Sequence, residues 1–119
     1  MIQEYKKLKV ALPKGEKFIL TQGRDRFLYL FSEENWDGYF AELLELAKKS
    51  AEAKMFMRYL MRTAVEVEVD EENEIEIPEM LWEYMTLENN ESQITMNRAQ
   101  DMDNLGMAGK YQPWIIGRK

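Results

Sequence analysis

The most regular hydrophobic pattern in the chain runs through Ala64-Val65-Glu66-Val67-Glu68-Val69-Asp70 and resumes at Glu74-Ile75-Glu76-Ile77-Pro78, on either side of the polar Glu71-Glu72-Asn73. Strict alternation predicts strands, and the polar spacer predicts the turn of a hairpin. Side chains on a strand alternate between faces, so Val65, Val67, Val69, Ile75 and Ile77 are expected on a core face. Glu66, Glu68, Glu74 and Glu76 are expected on the other, as a ladder of carboxylates. Like charges opposed across strands are destabilising, so this face calls for water or a basic neighbour. Upstream, Leu8, Val10 and Leu12 alternate with Lys7, Lys9 and Ala11 until Pro13 ends the run. A strand here, laid beside the acidic hairpin, brings Lys7 and Lys9 to the glutamates.

The rest of the chain divides by the same criterion. Pro13-Lys14-Gly15-Glu16 is a turn by composition, and Lys17–Gln22 with Phe27–Phe31 forms a second predicted hairpin around Gly23-Arg24-Asp25-Arg26. Arg24 and Arg26 stand at its tip, either as solvated turn residues or as phosphate contacts. Ser32 is placed to cap a helix carrying Trp36, Phe40, Leu43, Leu44 and Ala47 at helical spacing, with Lys48 and Lys49 in its last turn. A second helix, Ser50–Thr63, is expected to bury Met55, Phe56, Tyr59 and Leu60 and to expose Arg58 and Arg62. Pro78 can open a short apolar helix through Met85. Beyond Glu88 the periodicity fades, with a strand signal only at Ile94 and Met96 and apolar character again at Tyr111–Ile116.

Composition narrows the functions. The 119 residues suit one domain with a real core. The net charge of −6 weighs against sequence-blind attraction to nucleic acid while leaving room for a local basic patch. With neither cysteine nor histidine, the chain lacks thiol nucleophiles, thiolate metal sites and the commonest general base. No nucleophile with an adjacent base can be named, so no enzymatic activity is expected. A calcium loop from Asp70, Glu71, Glu72, Glu74 and Glu76 lacks the required glycine and distal glutamate, so neither metal nor cofactor is assigned. Met1–Lys7 has no signal-peptide core and no apolar run approaches the roughly 20 residues of a membrane span. A soluble cytoplasmic protein is expected, with nucleoid association if it binds DNA.

The order of elements resembles the MraZ family of bacterial transcriptional regulators, within the AbrB/SpoVT-like swapped-hairpin superfamily. The resemblance is carried by Lys17-Phe18-Ile19-Leu20-Thr21-Gln22-Gly23, Phe27-Leu28-Tyr29-Leu30-Phe31 with Trp36, Thr63 to Asp70, and Ile75-Glu76-Ile77-Pro78-Glu79-Met80-Leu81-Trp82-Glu83-Tyr84. It implies an α+β fold, a swapped-hairpin β-barrel with an inserted helical pair. Residues 1–87 would form one MraZ-like domain, with 88–119 a divergent C-terminal tail inside or after it. It further implies ring-like homo-oligomers that bind short repeats of double-stranded DNA upstream of cell-wall and division genes.

In that family each half carries a turn of the form Asp-x-x-Gly-Arg ahead of an apolar strand and a proline, and the arginine is expected to contact DNA. Here the second turn is Asp70-Glu71-Glu72-Asn73-Glu74. Asn73 can take the left-handed backbone of the glycine, while Glu74 reverses the charge of the arginine. In the first half, counting back from Pro13 puts Lys9 at the arginine position and Leu8 at the glycine position, so charge is kept and the turn is not. The resemblance thus implies a DNA-binding regulator with weakened contacts at Lys7, Lys9, Arg24 and Arg26, summed over an oligomer. The alternative is an acidic protein-binding module, antitoxin-like or nucleic-acid-mimicking, that offers Glu66, Glu68, Glu74 and Glu76 to a basic protein partner.

Overall fold

A computed structural model describes residues 5–24, 26–85, 94–98 and 111–118. In chain order the elements are β1 (Tyr5–Lys9), β2 (Lys17–Gln22), β3 (Leu28–Ser32), α1 (Glu33–Ala47), α2 (Ala51–Thr63), β4 (Val65–Glu68), β5 (Glu74–Pro78), α3 (Glu79–Met85), β6 (Ile94–Arg98) and β7 (Trp114–Arg118). The fold is α+β. Two antiparallel sheets form, a pair β1-β5 and a five-stranded sheet in the order β4-β2-β3-β7-β6. Among the described residues they do not close into one barrel.

At its centre the five-stranded sheet is buried on both faces. Leu28 and Leu30 of β3 point into a core shared with Phe18, Leu20, Val67, Ile75, Ile77, Leu81 and Ile116, while Tyr29 and Phe31 point the other way, onto Leu43, Ala53 and Leu60 of the helical pair. Each wholly buried Leu or Ile contributes about 1.5–3 kcal/mol. The alternation in β3 therefore separates two cores rather than core from solvent. Ser32 caps α1 as expected, its Oγ accepting from the Asn35 N–H at 3.1 Å, and Ser50 does the same for α2 through Ala53.

Four positions differ from the periodic reading of the helices. Leu44 and Met55 are exposed, at 47% and 71% of their surface, because each helix contacts the sheet along a narrower stripe than a full apolar face. Lys48 is the C-cap of α1 rather than a residue of its last turn. Pro78 ends β5 instead of opening α3, and Leu81 and Met85 of α3 are in the sheet core. The segment at Trp114–Arg118, whose course the sequence left open, is β7, paired to β3 at the centre of the sheet. The boundary drawn after residue 87 falls outside the described residues.

The largest difference concerns the acidic hairpin. Its turn forms, with the Asn73 N–H on the Asp70 carbonyl at 3.0 Å and the Asp70 N–H on the Glu74 carbonyl at 2.9 Å. Its arms then part. β4 pairs with β2, and β5 pairs with β1. Continuing the hairpin register from Asp70 opposite Glu74 would set Glu68 against Glu76 and Glu66 against Pro78, a like-charge pair followed by a residue with no N–H to give. Pairing each arm with a basic or neutral strand avoids both.

Candidate nucleic-acid interface

The expected meeting of the lysine strand with the acidic segment takes place within one chain. In the β1-β5 ladder Lys7 stands opposite Glu76 and Lys9 opposite Glu74, with Leu8 opposite Ile75 between them. Side chains of opposed residues share a face, so both lysines are on the outer face with the two glutamates. The closest ionic contact is not with either glutamate. Lys7 Nζ donates to Asp70 Oδ2 at 3.3 Å. Asp70 sits at the head of the turn, where its Oδ1 accepts from the N–H groups of Glu74 and Glu72 at 3.0 and 2.9 Å. The N–H of Glu74 above all, and then Glu72 and Lys7, holds its carboxyl below the ordinary value of 3.8. Lys7 is held above its ordinary value, chiefly by the hydrogen bond to Asp70.

Asn73 adopts φ 61°, the left-handed backbone expected of it, and its Nδ2 donates to the Leu12 carbonyl at 3.0 Å. The turn of the family's Asp-x-x-Gly-Arg form is therefore built, with a carboxylate at its last position. In the first half Leu8 lies inside a continuous strand and no turn forms there. Of the five acids weighed as a calcium loop, Asp70, Glu72 and Glu74 each bring one carboxylate oxygen within 4.8 Å of the others. Lys7 and two backbone amides already occupy Asp70.

Arg24 and Arg26 are elsewhere, at the turn joining β2 to β3. Arg24 stacks its guanidinium 4.7 Å from the centre of the Phe56 ring on α2, and Arg26 lies 5.3 Å from that of Tyr84 on α3. Arg26 has φ 68°, left-handed backbone for a residue with a long side chain. Two hydrogen bonds hold it there. Tyr84 donates its hydroxyl to the Gly23 carbonyl at 2.6 Å and accepts from the Arg26 N–H at 3.3 Å. Gly23 packs against the face of Tyr29, where a Cβ would collide with the ring. The strand end behind the turn is fastened to α2 by Thr21 Oγ1 on the Leu60 carbonyl, by the Gln22 N–H on Thr63 Oγ1, and by the Tyr59 hydroxyl on Gln22 Oε1. Burial, followed by the neighbouring Tyr84 phenol, raises the Tyr59 phenol. Among the described residues no carboxylate lies within ion-pair distance of either arginine.

The residues singled out from the sequence thus fall into three places. Lys7, Lys9, Glu74 and Glu76 share one ladder, Glu66 and Glu68 lie on β4 opposite Ile19 and Lys17, and Arg24 and Arg26 share the β2-β3 turn. Sequence reasoning missed the aromatic platforms under the arginines. Their periodicity puts Phe56 in a core stripe and Tyr84 in an apolar helix, and nothing in their spacing points to the turn.

No protein-family profile matches the chain, and no solved structure does. Curated relatives do. Over 100 residues the chain is 42% identical to "Transcriptional regulator MraZ" of Acetivibrio thermocellus, a match covering 84% of this chain and 62% of the relative. With the protein of that name from Thermoanaerobacter sp. strain X514 it shares 39% over 74 residues, covering 62% and 52%. With that of Caldicellulosiruptor saccharolyticus it shares 38% over 99 residues, covering 74% and 69%. The matches therefore span between about half and seven-tenths of the length of these relatives. No helix among the described residues is long and apolar enough to cross a membrane. The identity to the Caldicellulosiruptor protein extends over more than two-thirds of that relative, and the chain belongs to the MraZ family of transcriptional regulators.

Proposed function

We propose that the chain is a DNA-binding transcriptional regulator of the MraZ type whose single protomer grips DNA weakly and whose homo-oligomer restores affinity by summing contacts. The observation that carries this is the pairing of Lys9 with Glu74. Lys9 lies four residues before Pro13 and Glu74 four residues before Pro78, so each stands where the resemblance expects a DNA-contacting arginine. One half keeps a cation there and the other presents a carboxylate beside it, which lowers the local attraction for phosphate. Lys7, Lys9, Arg24 and Arg26 supply the remaining positive charge. Joining several such protomers makes later contacts intramolecular and raises affinity without any new contact. The crossing of β4 and β5 onto strands of the first half supports a swapped-hairpin arrangement.

Fluorescence anisotropy against a labelled repeat-containing duplex and a scrambled one, at low and physiological salt, tests this reading. Preferential, salt-sensitive binding to the repeats is expected. Equal or absent binding to both at low salt contradicts it. A second reading, docking of a basic protein on Glu66, Glu68, Glu74 and Glu76, is favoured by the open groove between β4 and β5, which three of these carboxylates (Glu66, Glu68 and Glu76) line.

A further inference from the structure

Where the arms of the acidic hairpin part, they leave a groove of about 650 Å³ lined by Glu66, Glu68, Asp70, Glu76, Pro78 and Met80, among others. Its two long sides are strand edges. Among the described residues β4 is the outer strand of the five-stranded sheet, and β5 is paired on one side only. Which backbone groups face the groove follows from the alternation of antiparallel hydrogen bonds. The Val69 N–H bonds to the Glu16 carbonyl, so Val67 and Val65 also turn their backbone groups toward β2, and those of Glu66 and Glu68 turn away from it. The Val10 N–H bonds to the Asn73 carbonyl, so Ile75 and Ile77 face β1, and Glu76 turns away. The N–H and C=O groups of Glu66, Glu68 and Glu76 are therefore directed into the groove. An open edge of this kind is a template for another strand.

We propose that the groove between β4 and β5 takes an extended, basic peptide segment of a partner protein, added as a strand. Charge selects this occupant. A strand lying there places alternate side chains on the outer face among the carboxylates of Glu66, Glu68 and Glu76, and the others on the inner face toward Val67 and Ile77, which are buried. The matching sequence alternates Lys or Arg with aliphatic residues. The molecule holds an example of such a match, because β1, with Lys7 and Lys9 alternating with Leu8, already lies on the other edge of β5 with its lysines opposite Glu76 and Glu74. Met80, 58% exposed at the groove, adds apolar surface for a neighbouring aliphatic side chain.

This deepens the second reading above and rests on it, and the test separates the two. The probe is a fluorescently labelled, end-blocked Lys-Val-Lys-Val-Lys peptide, titrated into the full chain by anisotropy, with hydrogen exchange followed in parallel. Binding should protect the amides of Glu66, Glu68 and Glu76 by at least tenfold. Glu66→Lys, opposite the neutral Ile19 and so without a new like-charge pair in the sheet, should weaken binding at least tenfold, and Glu76→Gln severalfold. Methylating alternate backbone nitrogens of the peptide should abolish it. Equal affinity for the methylated peptide, without amide protection, overturns strand addition and leaves only acidic recognition of basic chains. No binding of either peptide at low salt overturns both.

Discussion

Lys9 and Glu74 face one another across the β1-β5 ladder, each four residues ahead of a proline. In an antiparallel pair built from two equivalent segments, only one position can oppose its own equivalent, and here it is this one. Had both halves carried an arginine, two cations would have stood side by side on the outer face. The pair present instead is neutral. The acidic turn beside it also draws Lys7 onto Asp70, at 3.3 Å in an exposed ion pair.

The arginine turn separates charge from stability. Because Arg26 has φ 68°, glycine fits its backbone better than arginine does, and Arg26→Gly trades the relief of a left-handed side chain against a lost cation–ring contact. Its midpoint in urea should stay close to that of the parent chain while DNA affinity and salt dependence fall. Arg24→Ala should lose about 0.5–1 kcal/mol of stability with the Phe56 contact, together with a similar loss in DNA binding. Urea unfolding beside anisotropy measures both.

Thr63 is the hub of the bond network that fastens the turn to α2. Its hydroxyl accepts from the Gln22 N–H and is shared with Thr21 at 2.6 Å, in a buried position. Thr63→Val keeps the shape and removes those bonds, leaving the Gln22 N–H without its partner. A loss of about 1–3 kcal/mol, seen as a lower urea midpoint at unchanged slope, is expected.

Asp70 sets an acid limit on the second turn. Its carboxyl is held below 3.8 by the N–H of Glu74, so its charged form stabilises the folded state fully above 3.8, and that contribution is lost as pH falls through the lower folded value. Asp70→Asn keeps an acceptor oxygen and removes the charge. The difference in Tm between parent and variant should be largest near neutral pH and vanish in strong acid. For Lys7 the sign is opposite, its contribution being present below the ordinary value of 10.5 and lost as pH rises through the higher folded one.

Much of this architecture was legible because the alternating segments are strict. The core face Val67, Val69, Ile75 and Ile77, the Ser32 cap, the left-handed Asn73 and the approach of the lysine strand to the acidic segment all follow from local spacing. What was not legible is which strand each arm of the acidic hairpin chooses. Adjacent alternating runs predict pairing with each other, and the clash of Glu68 with Glu76 is visible only once the register is known. The same holds for the arginine tip. Periodicity placed Phe56 and Tyr84 on apolar faces without saying that two guanidinium groups would lie on them, because that contact joins residues distant in sequence. β7 was opaque for a related reason, since its place inside the sheet depends on pairing with β3, distant in the chain, as well as with β6.

The most direct measurement is the DNA affinity of Glu74→Arg against that of the parent chain, by anisotropy on the repeat-containing duplex across a salt series. Removing the carboxylate opposite Lys9 and restoring a cation should tighten binding at least tenfold. It should also steepen the dependence of log affinity on log salt by about 0.9 for each phosphate newly contacted. An unchanged affinity and slope would contradict the account, because the ladder centred on Lys9 and Glu74 would then lie away from the DNA.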